Sequence, residues 1–203
     1  MRTNIPNIIT LLRIVAIPVF IVVFYLPWSE AQFWATFIFC TAALTDWLDG
    51  YLARKLEQTS AFGEFLDPVA DKLMVVMALI LVLERNPTPF PDVALTLACG
   101  IIIGREIVIS ALREWMAGIG ERTQVAVSII GKVKTLVQMF AIPFLIYEYD
   151  IGDFPTAEVG FVLIWIAAML TLWSMVIYLK DAWPVLKNSD TVANEDNYKA
   201  EKS

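Results

Sequence analysis

Asp46-Trp47-Leu48-Asp49-Gly50-Tyr51-Leu52-Ala53-Arg54, then eight residues, then Gly63-Glu64-Phe65-Leu66-Asp67-Pro68-Val69-Ala70-Asp71, sets four aspartates where two long apolar runs meet. The upstream run covers residues 32–54 and the downstream run residues 67–83. Each has the length that crosses a bilayer, roughly 17–25 residues. Four more such runs lie further out, at residues 8–26, 93–113, 125–147 and 159–180. The breaks between them carry turn chemistry, most plainly Asn86-Pro87-Thr88-Pro89-Phe90-Pro91. Composition agrees, since 58% of the 203 residues are hydrophobic and 18% charged, against about 45–50% and about 25% in a soluble domain. The sequence therefore predicts an all-α membrane protein whose six transmembrane helices occupy residues 1–187. Residues 188–203 are polar and aperiodic, and are expected to form a disordered cytoplasmic tail.

Orientation follows from charge. Of the 15 Lys and Arg, an N-in, C-in arrangement leaves only Arg85 outside, in keeping with the positive-inside rule. Glu30, Glu84, Asp92, Glu148, Asp150, Asp153 and Glu158 fall outside with it, so the whole formal charge of −6 belongs to that face. With the four aspartates set aside, the inner face is cationic and suited to anionic lipid and phosphate. The acidic total argues against nucleic acid as a partner. Cys40 and Cys99 sit in apolar runs and read as small hydrophobes, without a disulfide framework. Trp28, Trp34 and Trp183 are expected near the interfaces, and Trp47, Trp165 and Trp173 in packed positions.

The chain has no histidine, which excludes Ser-His-Asp triads and imidazole metal sites. Charged side chains inside spanning helices are costly and mark function. Asp46 and Asp49 are three apart and Asp67 and Asp71 four apart, so each pair shares a helix face. Four carboxylates in one partly dehydrated site repel each other and need cations among them. An all-oxygen donor set suits Mg²⁺ or Mn²⁺, and two ions about 3.5–4 Å apart would polarise a phosphoryl group. Plainer readings are an N-cap for Asp67, ahead of Pro68, and a solvated inner rim for Asp71 and Lys72.

The full pattern, Asp46-x-x-Asp49-Gly50-x-x-Ala53-Arg54 and Gly63-x-x-x-Asp67-x-x-x-Asp71, resembles the signature of the CDP-alcohol phosphatidyltransferases at every defined position. Gly50 and Ala53 share the aspartate face and leave room for a nucleotide to approach the backbone. Arg54 ends that face with a cation for a phosphate, and Gly63 permits close approach where the third helix begins. The resemblance implies a six-helix enzyme in the bacterial cytoplasmic (inner) membrane, usually a homodimer, with a polar active-site cavity open to the cytoplasm. It implies that Asp46, Asp49, Asp67 and Asp71 bind the metal ions, and that Asp71 also takes the proton of the attacking hydroxyl. A CDP-linked donor would pass its phosphate-bearing group to an alcohol and release CMP.

Beyond the motif, residues 4–13, Arg105-Glu106-Ile107, Ser110-Ala111-Leu112-Arg113-Glu114-Trp115 and Gly131-Lys132-Val133-Lys134-Thr135 resemble the bacterial branch that makes phosphatidylglycerophosphate. That implies CDP-diacylglycerol as donor and sn-glycerol 3-phosphate as acceptor. Charge points the same way, because an acceptor with its own phosphate needs cations beyond those serving the diphosphate. Arg105, Arg113, Lys132 and Lys134 are the candidates, with Glu106 as a neutralising neighbour. Snorkelling alone accounts for some of them, less easily for Arg105, which lies inside an apolar run. Asn7, Thr10 and Arg13 are candidates for the donor, with helix capping the competing reading for Asn7 and Thr10. Gly100-x-x-x-Gly104 reads as a close packing face, within the bundle or between copies. An enzyme using another phosphorylated alcohol, such as inositol phosphate, is the alternative. A divalent-cation carrier is the remote one, and it gives no reason for Gly50, Ala53 and Arg54 at fixed offsets.

Overall fold

The computed structural model describes the backbone of residues 5–56, 61–118 and 129–200, and side chains chiefly within residues 10–45, 69–116 and 131–183. Six helices account for the fold: α1 (Ile5–Tyr25), α2 (Ala31–Leu56), α3 (Ala61–Arg85), α4 (Asp92–Gly118), α5 (Ile129–Tyr147) and α6 (Thr156–Ala200). Each coincides with most of one apolar run. Asp92–Met116 and Thr156–Lys180 are long and apolar enough to cross a membrane, and Thr10–Tyr25, Ala31–Thr45 and Val133–Tyr147 are shorter apolar helices.

The helices are apolar on their outer as well as their inner faces. Phe20, Phe39, Leu79, Leu95, Ile102, Ile142 and Ile164 fill the core, while Leu12, Val22, Leu44, Val93 and Trp173 stand more than half exposed. Large apolar side chains left open on helix after helix fit a protein whose outer solvent is lipid. Trp173 is thus an outward residue rather than a packing one.

The most extensive contact is between α5 and α6. Gly160 makes it possible, since a Cβ there would lie 2.9 Å from Leu145 Cγ and 3.2 Å from the Leu145 backbone nitrogen. Gly100 and Gly104 behave differently: a Cβ on either meets nothing within 4 Å among the described residues, so their face of α4 is not a contact within the bundle. The motif permits close approach but does not say to what. Helix α1 packs on α2 and α3, and α4 packs on α3 and α6.

One end of the bundle is fastened by its turns. Asn86, with φ 36°, ends α3, and its Nδ2 donates to Phe90 O at 3.1 Å while its Oδ1 accepts from Thr88 Oγ1 at 2.8 Å. Phe90 stacks on Phe161 at 4.2 Å. Arg85 lies over the Phe24 ring at 4.9 Å and 3.7 Å from Glu148. At the C-terminus the backbone of α6 continues as helix to Ala200. Residues 185–200 contain neither Gly nor Pro, so polarity alone does not end the helix.

Candidate active site

Asp46 and Asp49 lie in the second half of α2, and Asp67 and Asp71 in the first half of α3. The two helices touch, so the backbone brings both pairs to one end of the bundle. The N-cap reading of Asp67 fails, because α3 starts at Ala61. Capping by Asn7 or Thr10 fails likewise, because α1 starts at Ile5. The side chains of the four aspartates, Asn7, Arg54 and Lys132, and the surroundings of Gly50, Ala53 and Gly63, lie outside the described residues. Among the described residues there is no group of three or more His, Cys, Asp or Glu. The four aspartates thus remain the donor set to weigh, and an oxygen-only set fits a hard divalent cation.

Thr10 and Arg13 are buried on the inward stripe of α1 with Ile17, Phe20 and Phe24. Arg13 also lines a groove of about 300 Å³ between α1 and α2, with Leu12, Thr41 and Thr45. Thr45 is the residue before Asp46, so the groove ends beside the carboxylate segment. Its hydroxyl is engaged by its own helix, donating to the carbonyls of Ala42 and Thr41 at 2.8 and 2.9 Å.

Three of the four basic candidates line one cavity. It measures about 260 Å³ and lies between α3, α4 and α5, with Lys72, Arg105, Glu106, Arg113, Lys134 and Gln138 in its wall. Arg105 stands at the midpoint of α4, where an unpaired charge would be expensive. Its Nη1 donates to Glu106 Oε1 at 3.0 Å and its Nη2 to Ser174 Oγ on α6 at 3.3 Å. Ser174 Oγ in turn donates a hydrogen bond to Thr171 O at 2.9 Å. Lys134 Nζ donates to the same Glu106 Oε1 at 2.6 Å. One carboxylate oxygen therefore joins two cations from α4 and α5. The Arg105 side chain is 10% exposed, and its Nε is buried with no hydrogen-bond partner among the described residues. Arg113 lies over the Tyr178 ring at 5.5 Å.

Lys72 corrects the sequence reading. Rather than standing on a solvated rim, it is half-buried, donates to Ser110 Oγ and adds a fourth cation to the cavity wall. Ser110, Gln138, Ser174 and Tyr178 were also passed over. Helical spacing carried a faint signal for two of them, because Ser110 is four residues after Glu106 and Gln138 four after Lys134. A wider recess of about 620 Å³ opens at the opposite end, between Trp28, Gln32, Arg85 and Glu148. None of the candidate residues lines it.

An all-helical bundle with apolar outer faces, a carboxylate-bearing end and a cation-lined cavity is consistent with a membrane protein that handles phosphorylated ligands. Residues 3–173 match the CDP-alcohol phosphatidyltransferase family, and the chain belongs to that family. It is 50% identical over 182 residues to proteins of Shigella flexneri serotype 5b, Salmonella typhimurium and Escherichia coli K12, covering 90% of this chain and 96% of theirs. Each of these is named CDP-diacylglycerol–glycerol-3-phosphate 3-phosphatidyltransferase. Family membership sets aside the cation-carrier reading.

Proposed function

We propose that this protein transfers the phosphatidyl group of CDP-diacylglycerol to sn-glycerol 3-phosphate, giving phosphatidylglycerophosphate and CMP. The observation that carries this reading is a part-open cavity with four cationic side chains in its wall, Arg105 and Lys134 nearly buried and Arg113 exposed. On the helix register Asp71 stands one turn before Val75, which is in the cavity wall. Half of the sequence in common with relatives of that name supports the same acceptor.

Asp46, Asp49, Asp67 and Asp71 would hold the metal ions, two of Mg²⁺ or Mn²⁺. The metal, when bound, supplies positive charge that polarises the donor diphosphate. Asp71 takes the proton of the attacking hydroxyl, a carboxylate being the natural base in a chain without histidine. The hydroxyl oxygen bonds to the phosphorus that bears diacylglycerol, and the bond from that phosphorus to CMP breaks. Arg105, Lys134, Arg113 and Lys72 would hold the acceptor phosphate, Arg105 through an Nε–H that has no partner among the described residues, and Lys132 is the further candidate. Gly50, Ala53, Arg54 and Gly63 seat the nucleotide half of the donor, with Asn7, Thr10 and Arg13 toward its diphosphate.

The reading includes six spans over residues 1–187 with both termini in the cytoplasm, and a cavity opening to that side of the bacterial inner membrane. The distribution of Lys and Arg supports it. A homodimer in the bilayer accounts for the open Gly100 and Gly104 face of α4, since small residues let two helices approach in lipid.

The test measures CMP release from CDP-diacylglycerol and Mg²⁺ with glycerol 3-phosphate, inositol, inositol phosphate or serine. Glycerol 3-phosphate is expected to give the fast reaction. No release above the blank with it would overturn the acceptor assignment. Asp71→Asn is expected to abolish turnover while the protein still purifies folded.

A further inference from the structure

Glu106 is an anion inside a cavity read above as a phosphate site, and that is a cost the site would be cheaper without. Its Oε1 accepts from Arg105 at 3.0 Å and from Lys134 at 2.6 Å, the same two groups that would hold the acceptor phosphate. Both cations are nearly buried, at 10% and 6% side-chain exposure. Such groups need a counter-charge when the cavity is empty. A phosphate entering beside Glu106 meets a like charge at short range in a medium of low dielectric, which weakens its binding.

The acceptor phosphate is not consumed in the transfer. It remains on the lipid product, and the same cations that seat the substrate also retain that product. From this geometry we propose that Glu106 is a positioning residue that competes with the phosphate for Arg105 and Lys134, and so sets how readily the phosphate-bearing product leaves. It holds Arg105 against Ser174 with Nε–H free for the ligand, keeps Lys134 in place when the cavity is empty, and moderates the hold on phosphate when it is full. The inference rests on the acceptor site proposed above.

Glu106→Gln keeps the shape and one acceptor oxygen but removes the charge. Inorganic phosphate, titrated calorimetrically into the detergent-purified full chain, is expected to bind about tenfold more tightly to this variant than to the wild type. In the CMP-release assay both KM for glycerol 3-phosphate and kcat are expected to fall, with product release made slower. A purely structural role gives the reverse, with weaker phosphate binding and a raised KM, and that result or an unchanged phosphate affinity overturns the proposal. Glu106→Asp retains the charge though it shortens the reach to Arg105 and Lys134, so inorganic phosphate is expected to bind it no more tightly than the wild type. Tightening there equal to that of Gln also overturns it. Glu106→Ser is carried in parallel, so that misfolding of one neutral variant leaves the other to decide. If the wild type releases no CMP with glycerol 3-phosphate, the functional reading fails, while the phosphate titration still decides what Glu106 does.

Discussion

Arg105→Lys isolates geometry from charge at the centre of the cavity. The guanidinium reaches Glu106 Oε1 at 3.0 Å with one terminal nitrogen and Ser174 Oγ at 3.3 Å with the other, leaving Nε–H for a ligand. A lysine ammonium keeps the positive charge but is a single point of donation. Engaged by Glu106, it cannot also reach Ser174 and present a third donor along a fixed direction. The loss is therefore about one charge-assisted hydrogen bond to the acceptor phosphate, roughly 1.5–3 kcal/mol. At 1.36 kcal/mol per factor of ten, that is about a 10- to 150-fold rise in KM for glycerol 3-phosphate. The aspartates proposed to carry the chemistry belong to α2 and α3, so kcat is expected to change less than about threefold. Initial rates of CMP release at saturating CDP-diacylglycerol, with glycerol 3-phosphate varied over several decades, give both constants. A KM within threefold of the wild type, or a loss carried wholly by kcat, would show that Arg105 does not hold the acceptor.

Other outcomes follow from features elsewhere in the molecule. Gly160→Val is expected to lower the thermal midpoint in detergent by several degrees, since its Cβ would start 2.9 Å from Leu145 Cγ and overpacking costs about 1–3 kcal/mol; an unchanged midpoint would mean that α5 and α6 separate at little cost. Removing divalent ions with EDTA is expected to abolish CMP release and added Mg²⁺ or Mn²⁺ to restore it, whereas activity persisting in EDTA would take the metal role from the aspartates. Burial pushes the Glu148 carboxyl above its usual value of 4.5, and nearby Arg85 only partly opposes this. The folded state then binds that proton more readily than the unfolded one, so this group's contribution to stability falls as pH rises above 4.5. Glu148→Gln removes the contribution, and the midpoint of the variant relative to the wild type is expected to be higher at pH 7 than at pH 5; a difference that does not change with pH would refute it.

The helices were legible because each apolar run is long and the turns between them are rich in Pro and polar residues. The end of α6 was not, since a polar stretch without Gly or Pro gives no sign of whether it continues the helix. Arg105 announced itself as a charge in an apolar run, and Glu106 as its neighbour. Lys72, Ser110 and Ser174 did not, because each is an ordinary polar residue on its own helix and gains meaning only where α3, α4 and α6 meet. The glycines make the same point in reverse. Gly100 and Gly104 carry a familiar spacing yet touch nothing in the described chain, whereas the lone Gly160 lets two helices close on each other.

Arg105 sits at the midpoint of α4, a helix of 27 residues and so about 40 Å long. It bonds Ser174 on α6 directly and is joined to Lys134 on α5 through the shared Glu106 oxygen. A membrane helix usually answers a thicker or thinner bilayer by tilting or kinking. Tilting α4 would draw Arg105 and Glu106 away from Ser174 and Lys134, so a polar layer tied across three helices would leave hydrophobic mismatch to the surrounding lipid and the helix ends.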